Sequence, residues 1–385
     1  MARIFGDLEI KYVREVLDSG RLGWQEGGMV TRFEKAFAER VGAKFGIARN
    51  SAMTGLAQAV SVSDAGVGME VICDPIVHFG AVAAIYFNAV PRFADIKYGT
   101  YLMDPESVRQ NITERTKALI VTDLWGLCAE LDELRAICDE HGIFMIEDCA
   151  HAVGSYWKGK HAGTYGDLGI FSFQQGKQIP TGDGGMMVTD REDLHYKLYH
   201  EWAFGGESPA FMTLNFRMNE VTAAIGYAQL QRVNAYLEEY ERNLKMLNEA
   251  IEDCEWLRNR AIPGAARQSG YIWACLWEGD KHGLDYDRFK QICKDLKVPV
   301  GFGFTQKPAY TYDFFRISTA YHHESCPMRC PYYESNYSYH EGLCPVAEDL
   351  IPRIISSGVM EVSEREMQRR ASLLRKAIRQ MGKGA

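Results

Sequence analysis

The stretch from Glu130 to Asp148 constrains the fold more than any other, because it holds a whole helix followed at once by a strand. Leu131, Leu134, Ile137 and Cys138 fall at helical spacing and share one face, and Gly142 is the residue type that stops a helix with a left-handed turn. Ile143 to Glu147 is an apolar run too short for a helix, and it ends at Asp148. With no polar loop between them, helix and strand must pack against each other. Val71-Ile72-Cys73 and Ala118-Leu119-Ile120-Val121 are further runs of buried-strand length. Repeated strand-helix units of this kind predict an α/β fold with a mostly parallel sheet covered on both faces. Ligands of open α/β sheets lie beyond the carboxyl ends of the strands, and Asp148 stands at such an end.

Other segments fill in the frame. Phe33, Phe37 and Val41 mark the inner face of a helix over Arg32 to Val41, closed by Gly42. A long helical stretch begins at Glu220 and runs to about Asp253, and it is read as the link to a smaller α+β domain. The tail predicts a helix, with Ser363 and Glu366 as a capping box and Met367, Ala371, Leu374, Ile378 and Met381 inward. The domains expected are a large ligand-binding one over 1–240, including the N-terminal segment, and a small C-terminal one over 241–385. No internal repeat or low-complexity linker is seen.

The chemistry centres on Lys177, which follows Phe171-Ser172-Phe173-Gln174-Gln175-Gly176 and precedes Thr181-Gly182-Asp183-Gly184-Gly185. A lysine in such a place can form a Schiff base. Upstream lies Glu147-Asp148-Cys149-Ala150-His151. A lysine, a carboxylate at a strand end, a hydroxyl at Ser172 and a glycine-rich turn are what pyridoxal phosphate requires: covalent attachment, a partner for the ring nitrogen, and donors for the phosphate. Each residue has a plainer explanation alone. Lysines are mostly solvated, Asp148 could be a helix cap, His151 a satisfied polar residue, and Gly-Asp-Gly-Gly a hairpin turn. Their joint order and spacing favour the cofactor site.

These segments resemble the DegT/DnrJ/EryC1/StrS family of sugar and cyclitol aminotransferases, which have the fold-type I architecture and use pyridoxal phosphate. The likeness runs through nearly the whole chain and is most specific from Glu147 to Val188. It implies that Lys177 forms the internal aldimine, Asp148 pairs with the pyridinium, Ser172 binds phosphate, and His151 neighbours the ring where many relatives carry Gln. Asn50-Ser51-Ala52-Met53-Thr54-Gly55-Leu56 occupies the place of the family's phosphate-binding turn, where the backbone amides at Ala52 and Met53 would open a helix. Met53 replaces the usual Thr, with Ser51 and Thr54 as alternative hydroxyls. Phe79, in Asp74-Pro75-Ile76-Val77-His78-Phe79, matches an aromatic ring stacked on the pyridine, the alternative being a core phenylalanine. Asn215, in Asn-Phe-Arg-Met-Asn-Glu, matches an asparagine that reaches the phosphate of the other subunit, so a homodimer with shared active sites is implied.

The resulting expectation is an aminotransferase that moves an amino group from glutamate or glutamine to a keto-sugar or keto-cyclitol. The Cys-Ala-His form of the aspartate motif resembles the branch with inosose aminotransferases and aminohydroxybenzoate synthases, which suggests an antibiotic-type pathway. The region from Gly301 to Glu341 matches no member closely, and in this family such loops shape the acceptor pocket. Three alternatives were weighed. A dehydratase or decarboxylase of the same fold is disfavoured because the sugar dehydratases carry histidine in place of Lys177. A non-catalytic regulator is expected to lose the lysine or the aspartate, and a nucleotide-binding oxidoreductase would want Gly-x-Gly-x-x-Gly after the first strand.

Composition sets limits. With 385 residues, 46% of them hydrophobic, the chain is long enough for two packed domains and has no long apolar span. Its start lacks the apolar core of a secretory signal, and the expected location is cytoplasmic. A formal charge of -8 and the lack of a basic tract argue against nucleic acid, and nothing points to a membrane. The ten cysteines show no disulfide framework. His322, His323, Cys326 and Cys330 sit close enough in sequence to hold zinc, but Cys-x3-Cys around a proline is not diagnostic. No metal is expected, and this segment is read as a loop near the substrate mouth.

Overall fold

The computed structural model describes residues 4–201, 214–316 and 326–382. Five strands come first: β1 (Phe45–Arg49), β2 (Glu70–Cys73), β3 (Val90–Phe93), β4 (Thr116–Thr122) and β5 (Phe144–Asp148). After a short hairpin, β6 (Tyr156–Trp157) and β7 (Lys160–His161), come β8 (Leu168–Ser172) and β9 (Gly185–Thr189). The main sheet has seven strands in the order β1-β9-β8-β5-β4-β2-β3. Only β9 is antiparallel to its neighbours. Every residue of β2, β8 and β9 is buried, as a sheet covered on both faces demands.

This topology gathers the site. The carboxyl ends of β1, β2, β4, β5 and β8 leave one edge of the sheet, and they carry Asn50, Asp74, Asp123, Asp148 and Ser172. The antiparallel β9 starts at that same edge, with Gly185 opposite both Ser172 and Arg49.

The helix Met29–Val41 buries Phe33, Phe37 and Val41 and stops at Gly42, whose φ of 80° is left-handed. Phe33 and Phe37 pack edge-on or tilted against Phe173 and Phe171, with centroids 5.0 and 4.9 Å apart. The helix Leu131–His141 buries the four predicted residues and stops at Gly142, φ 64°.

The predicted long helix is two. Glu220–Leu230 and Val233–Ile251 are separated at Gln231 and Arg232, where the N-terminal segment docks. Gln229 Nε2 donates to Glu9 and to the Ile4 carbonyl, both at 2.8 Å, and Arg232 pairs with Glu9.

A second, wholly antiparallel sheet follows, with β10 (Leu257–Asn259), β12 (Ile272–Trp277), β13 (Gly301–Phe302) and β14 (Ile354–Gly358) in the order β10-β12-β14-β13. Between β10 and β12, β11 (Ala266–Arg267) leaves it to pair with β6. The final helix Glu364–Gly382 packs beside Val233–Ile251. Ser363 Oγ accepts the Glu366 amide at 3.3 Å, but the Glu366 carboxylate turns to Arg369 and Arg370, so half of the capping box forms. Ala377 is buried and Ile378 only half so. We propose that the chain divides into a large unit built on the seven-stranded sheet and a small one built on the four-stranded sheet. The helix Val233–Ile251 runs across residue 240 between them.

Candidate active site

Of the eight predicted site residues, seven line one cavity of about 390 Å³ at the carboxyl edge of the main sheet: Ala52, Met53, Phe79, Asp148, His151, Ser172 and Lys177. They come from four separate stretches of chain. The parallel strands bring them together.

The floor is the start of the helix Ala52–Ser61. Ser51 caps it, its Oγ accepting the Thr54 amide at 3.1 Å, while Thr54 Oγ1 lies 2.8 Å from Asn50 Oδ1 and from the Ser51 carbonyl. Both hydroxyls offered as substitutes for a threonine at Met53 are therefore engaged locally. The amides of Ala52 and Met53 precede the first intrahelical bond and both residues line the cavity, and a helix start of this kind favours an anion. Ser172, at the end of β8, stands beside them. Gly185 makes this approach possible, since a Cβ there would lie 2.5 Å from Ser51 C and 2.6 Å from Ala52 N.

Lys177 sits on the tight loop between β8 and β9. Its amide donates to the Gln174 carbonyl at 2.9 Å, Gln175 N to Gly182 O and Thr181 N to Phe173 O both at 2.8 Å, and Gly182 turns through φ 91°. Burial pulls the lysine down to about 8, with the nearby Asp148 opposing. Burial pushes Asp148 up to about 6, against the Ala150 amide and Lys177.

Two consecutive carboxylates end β5, and their surroundings separate them. Glu147 accepts amides from Gly163 at 2.8 Å, Tyr165 at 2.6 Å and Gly166 at 2.5 Å, so it ties a loop down. Asp148, on the opposite face by strand alternation, accepts Ala150 N at 3.1 Å and borders the cavity. Glu147 also lies near Asp123 and Cys149. That trio does not fit a metal: Glu147 is spent on amides, and burial keeps Cys149 a thiol that donates to Asp123 at 3.5 Å.

His151 stacks on Tyr271, centroids 4.3 Å apart and planes at 18°, and its Nδ1 accepts the Trp125 amide at 3.5 Å. Burial, then the charges of Lys177 and Arg260, hold the imidazole neutral. Trp125 reaches it from a left-handed conformation, φ 55°, unusual for a bulky residue. Phe79 is 50% exposed and opens the helix Phe79–Tyr86, so it is not a core phenylalanine.

Asn215 is exposed and does not line this cavity. Its Oδ1 accepts the Arg217 amide at 3.3 Å and its carbonyl accepts Asn50 Nδ2 at 3.5 Å. Sequence reasoning missed Tyr271 and Asp74. Tyr271 touches both Lys177 and His151 but lies 94 residues beyond the lysine, with no local signal. Asp74 follows β2 and accepts the amides of Ile76 at 2.9 Å and Val77 at 2.8 Å, an Asx-type turn that leads into Phe79.

Three tyrosines of the tyrosine-rich segment reach the β2–β3 side of the main sheet. Tyr337 Oη accepts the Phe93 amide at 2.9 Å, Tyr339 Oη donates to the Pro91 carbonyl at 2.7 Å, and Tyr333 Oη donates to Glu70 at 2.7 Å. These rings cover the free edge of β3, an otherwise exposed template for pairing. His322 and His323 lie outside the described residues, and Cys330 is buried with Val90 and Tyr333. The part that nears the cavity is Tyr312, whose ring is 6.0 Å from His78, itself against Phe79.

The sequence profile of the DegT/DnrJ/EryC1/StrS aminotransferase family matches residues 4–371. The chain belongs to that family. It is an enzyme of the aminotransferase class with the α/β fold of these pyridoxal phosphate-dependent proteins. Among its relatives, GDP-perosamine synthase of Caulobacter vibrioides is 35% identical over 78% of this chain and 81% of its own. A putative L-glutamine:3-amino-2,3-dideoxy-scyllo-inosose aminotransferase of Micromonospora echinospora is 32% identical over 64% and 61%. Of solved structures, 3-amino-5-hydroxybenzoic acid synthase superposes with a TM-score of 0.83 at 25% identity, covering 99% of this chain and 98% of its own. Among the described residues no helix is long and apolar enough to cross a membrane.

Proposed function

We propose that this aminotransferase uses pyridoxal phosphate, held in the cavity around Lys177, to move an amino group from glutamate or glutamine to the keto group of a sugar or cyclitol. The observation that carries the reading is the convergence of a lysine, a buried carboxylate and open helix-start amides on one cavity in a chain of this family. The cavity fits the cofactor: Gly185 leaves no space between β9 and the helix start, so Ala52 and Met53 present their amides beside the Ser172 hydroxyl as a phosphate cradle. When bound, the group supplies an aldehyde that a lysine can hold and a ring that accepts electrons from a bond broken at the reacting carbon.

The protein's residues do the rest. With the cofactor bound, Asp148 would keep a proton on the ring nitrogen and Phe79 would lie against the ring, while neutral His151 borders the site. Lys177 would supply the amine that holds the aldehyde and, when its amine is free, the base that moves a proton at the reacting carbon. A value of about 8 leaves a usable neutral fraction near physiological pH. The relatives act on a nucleotide-linked sugar and on an inosose by their names, which supports a cyclic keto acceptor and leaves its ring open. Exposed Asn215, beside the Asn50 that precedes the phosphate cradle, suits a residue shared across a homodimer. Eight of the ten cysteines are buried as thiols, which suits a reducing cytoplasm.

The test is an absorption spectrum of the purified protein before and after borohydride, with peptide mapping, repeated with each donor. Reduction should fix the pyridoxyl group on Lys177, and one of glutamate and glutamine should bleach the unreduced band. Lys177→Ala should show neither. A protein that forms no linked chromophore even with added pyridoxal phosphate would overturn the reading in favour of a regulatory member.

A further inference from the structure

Tyr271 immediately precedes β12 of the second sheet, yet its side chain reaches Lys177 and His151 at the active site beside the first. Its hydroxyl accepts from Lys177 Nζ at 3.3 Å, Nζ is 5.2 Å from the ring centroid, and the ring stacks on His151. The segment before it is pinned at each residue. Gln268 Nε2 donates to the Trp125 carbonyl at 3.1 Å, and Ser269 N to the Gly126 carbonyl at 2.9 Å. Ser269 Oγ lies 2.9 Å from Ser155 Oγ and 3.2 Å from Gln178 Nε2. At Gly270 a Cβ would lie 2.4 Å from the Tyr240 backbone, so no other residue fits without displacing that helix. Such anchoring limits how far the ring can move, and its hydroxyl meets the Lys177 amine.

We propose that Tyr271 is a positioning residue that receives the Lys177 amine whenever it is released, holding Nζ beside Asp148 and His151 where it can move a proton. The inference rests on the reading of Lys177 given above. Among the described residues, the groups around Nζ include Asp148 from the end of β5, His151 just after it and Tyr271 just before β12, with Asp74 acting on Asp148 and Arg260 on His151. Since the phenol oxygen accepts from the ammonium, it favours the charged lysine, and its loss should ease deprotonation.

Tyr271→Phe keeps the ring and its stack and removes only the acceptor; Tyr271→Leu removes both. Cofactor-free protein is reductively methylated across a pH series and Lys177 modification is read by mass spectrometry. In Tyr271→Phe the midpoint should fall by about one pH unit, a tenfold change in the protonation ratio. In cofactor-loaded protein the donor half-reaction should slow by roughly tenfold with little change in donor affinity. A Phe variant with the parent's midpoint and half-reaction rate would overturn the proposal, whether or not Leu is impaired, as would an upward shift of the midpoint. Failure of parent protein to link pyridoxal phosphate would instead sink the reading of Lys177, and the methylation midpoint does not depend on it.

Discussion

Gly185→Ala tests the cradle most directly, because its effects on folding and on binding have different sizes. The added Cβ would lie 2.5 Å from Ser51 C, 2.6 Å from Ala52 N and 2.7 Å from Ser51 O. All three are backbone atoms, so no rotamer relieves the clash, and normal contact at roughly 3.5 Å requires the helix start to retreat by about 1 Å. Overpacking of this kind costs about 1–3 kcal/mol, against about 0.5–1 kcal/mol that alanine gains over glycine in a strand. Cofactor-free protein should therefore lose about 1–2 kcal/mol by chemical denaturation. The amides of Ala52 and Met53 would also retreat from the phosphate, and a hydrogen bond to a charged group is worth about 1.5–3 kcal/mol. Pyridoxal phosphate should bind roughly ten- to a hundredfold more weakly in a fluorescence titration. Gly358→Ala, in β14 with nothing within 4 Å of the added atom, is the matched control: it should leave cofactor affinity unchanged and cost no stability, gaining at most about 0.5–1 kcal/mol. A folded Gly185→Ala protein with the parent's cofactor affinity would refute the cradle.

Asp148→Asn should keep some pyridoxal phosphate and lose most turnover, because a neutral amide cannot hold the ring proton; normal turnover would end the assigned role. The same variant should be more stable than the parent when cofactor-free at pH 8. A carboxylate raised from 3.8 to about 6 costs about 3 kcal/mol when ionised, a gain trimmed because Lys177 loses its counter-charge. Phe79→Ala should leave stability within about 0.5 kcal/mol, since the ring is half exposed, and weaken cofactor binding about fivefold through lost stacking. A large loss of melting temperature would mark it as core. Lys177 lies at about 8 folded and 10.5 unfolded, so the unfolded chain binds the extra proton between those values and stability should rise with pH across that window. Covalent capture of the cofactor should likewise accelerate from pH 6.5 to 9; a flat rate would contradict a buried, neutralising lysine.

What could be read from the sequence was what is local. The helix from Leu131, its Gly142 stop, β5 and Asp148 at its end all follow from short-range spacing, and they appear as expected. So does the burial of Phe33 and Phe37. What failed depended on distant partners. The Glu220 helix breaks where Glu9 and Ile4 dock on Gln229 and Arg232, more than two hundred residues away in the chain. Glu366 is the local exception, its carboxylate taken from the capping box by two arginines three and four residues on. The bonds of Tyr333, Tyr337 and Tyr339 along the β2–β3 side were not legible either, since a sequence cannot show that β3 is an edge strand in need of cover.

The contrast between Glu147 and Asp148 shows why composition alone could not rank the site residues. Both end the same strand, and both are buried. Three amides satisfy Glu147, and replacing it would release the loop over Gly163 to Gly166 without touching the cavity. Asp148 is left with one amide and a lysine that burial is already pushing toward neutrality. A carboxylate so poorly compensated costs stability in the cofactor-free fold. A protein only about 5–15 kcal/mol from unfolding tolerates that cost where a ligand offsets it. On the proposed reading a pyridinium N–H would be such a ligand, because its positive charge would meet a buried carboxylate that the fold leaves under-satisfied at the cavity wall. The strain on Asp148 without cofactor and its use with cofactor are thus the same property, which is why its replacement is expected to raise stability while lowering turnover.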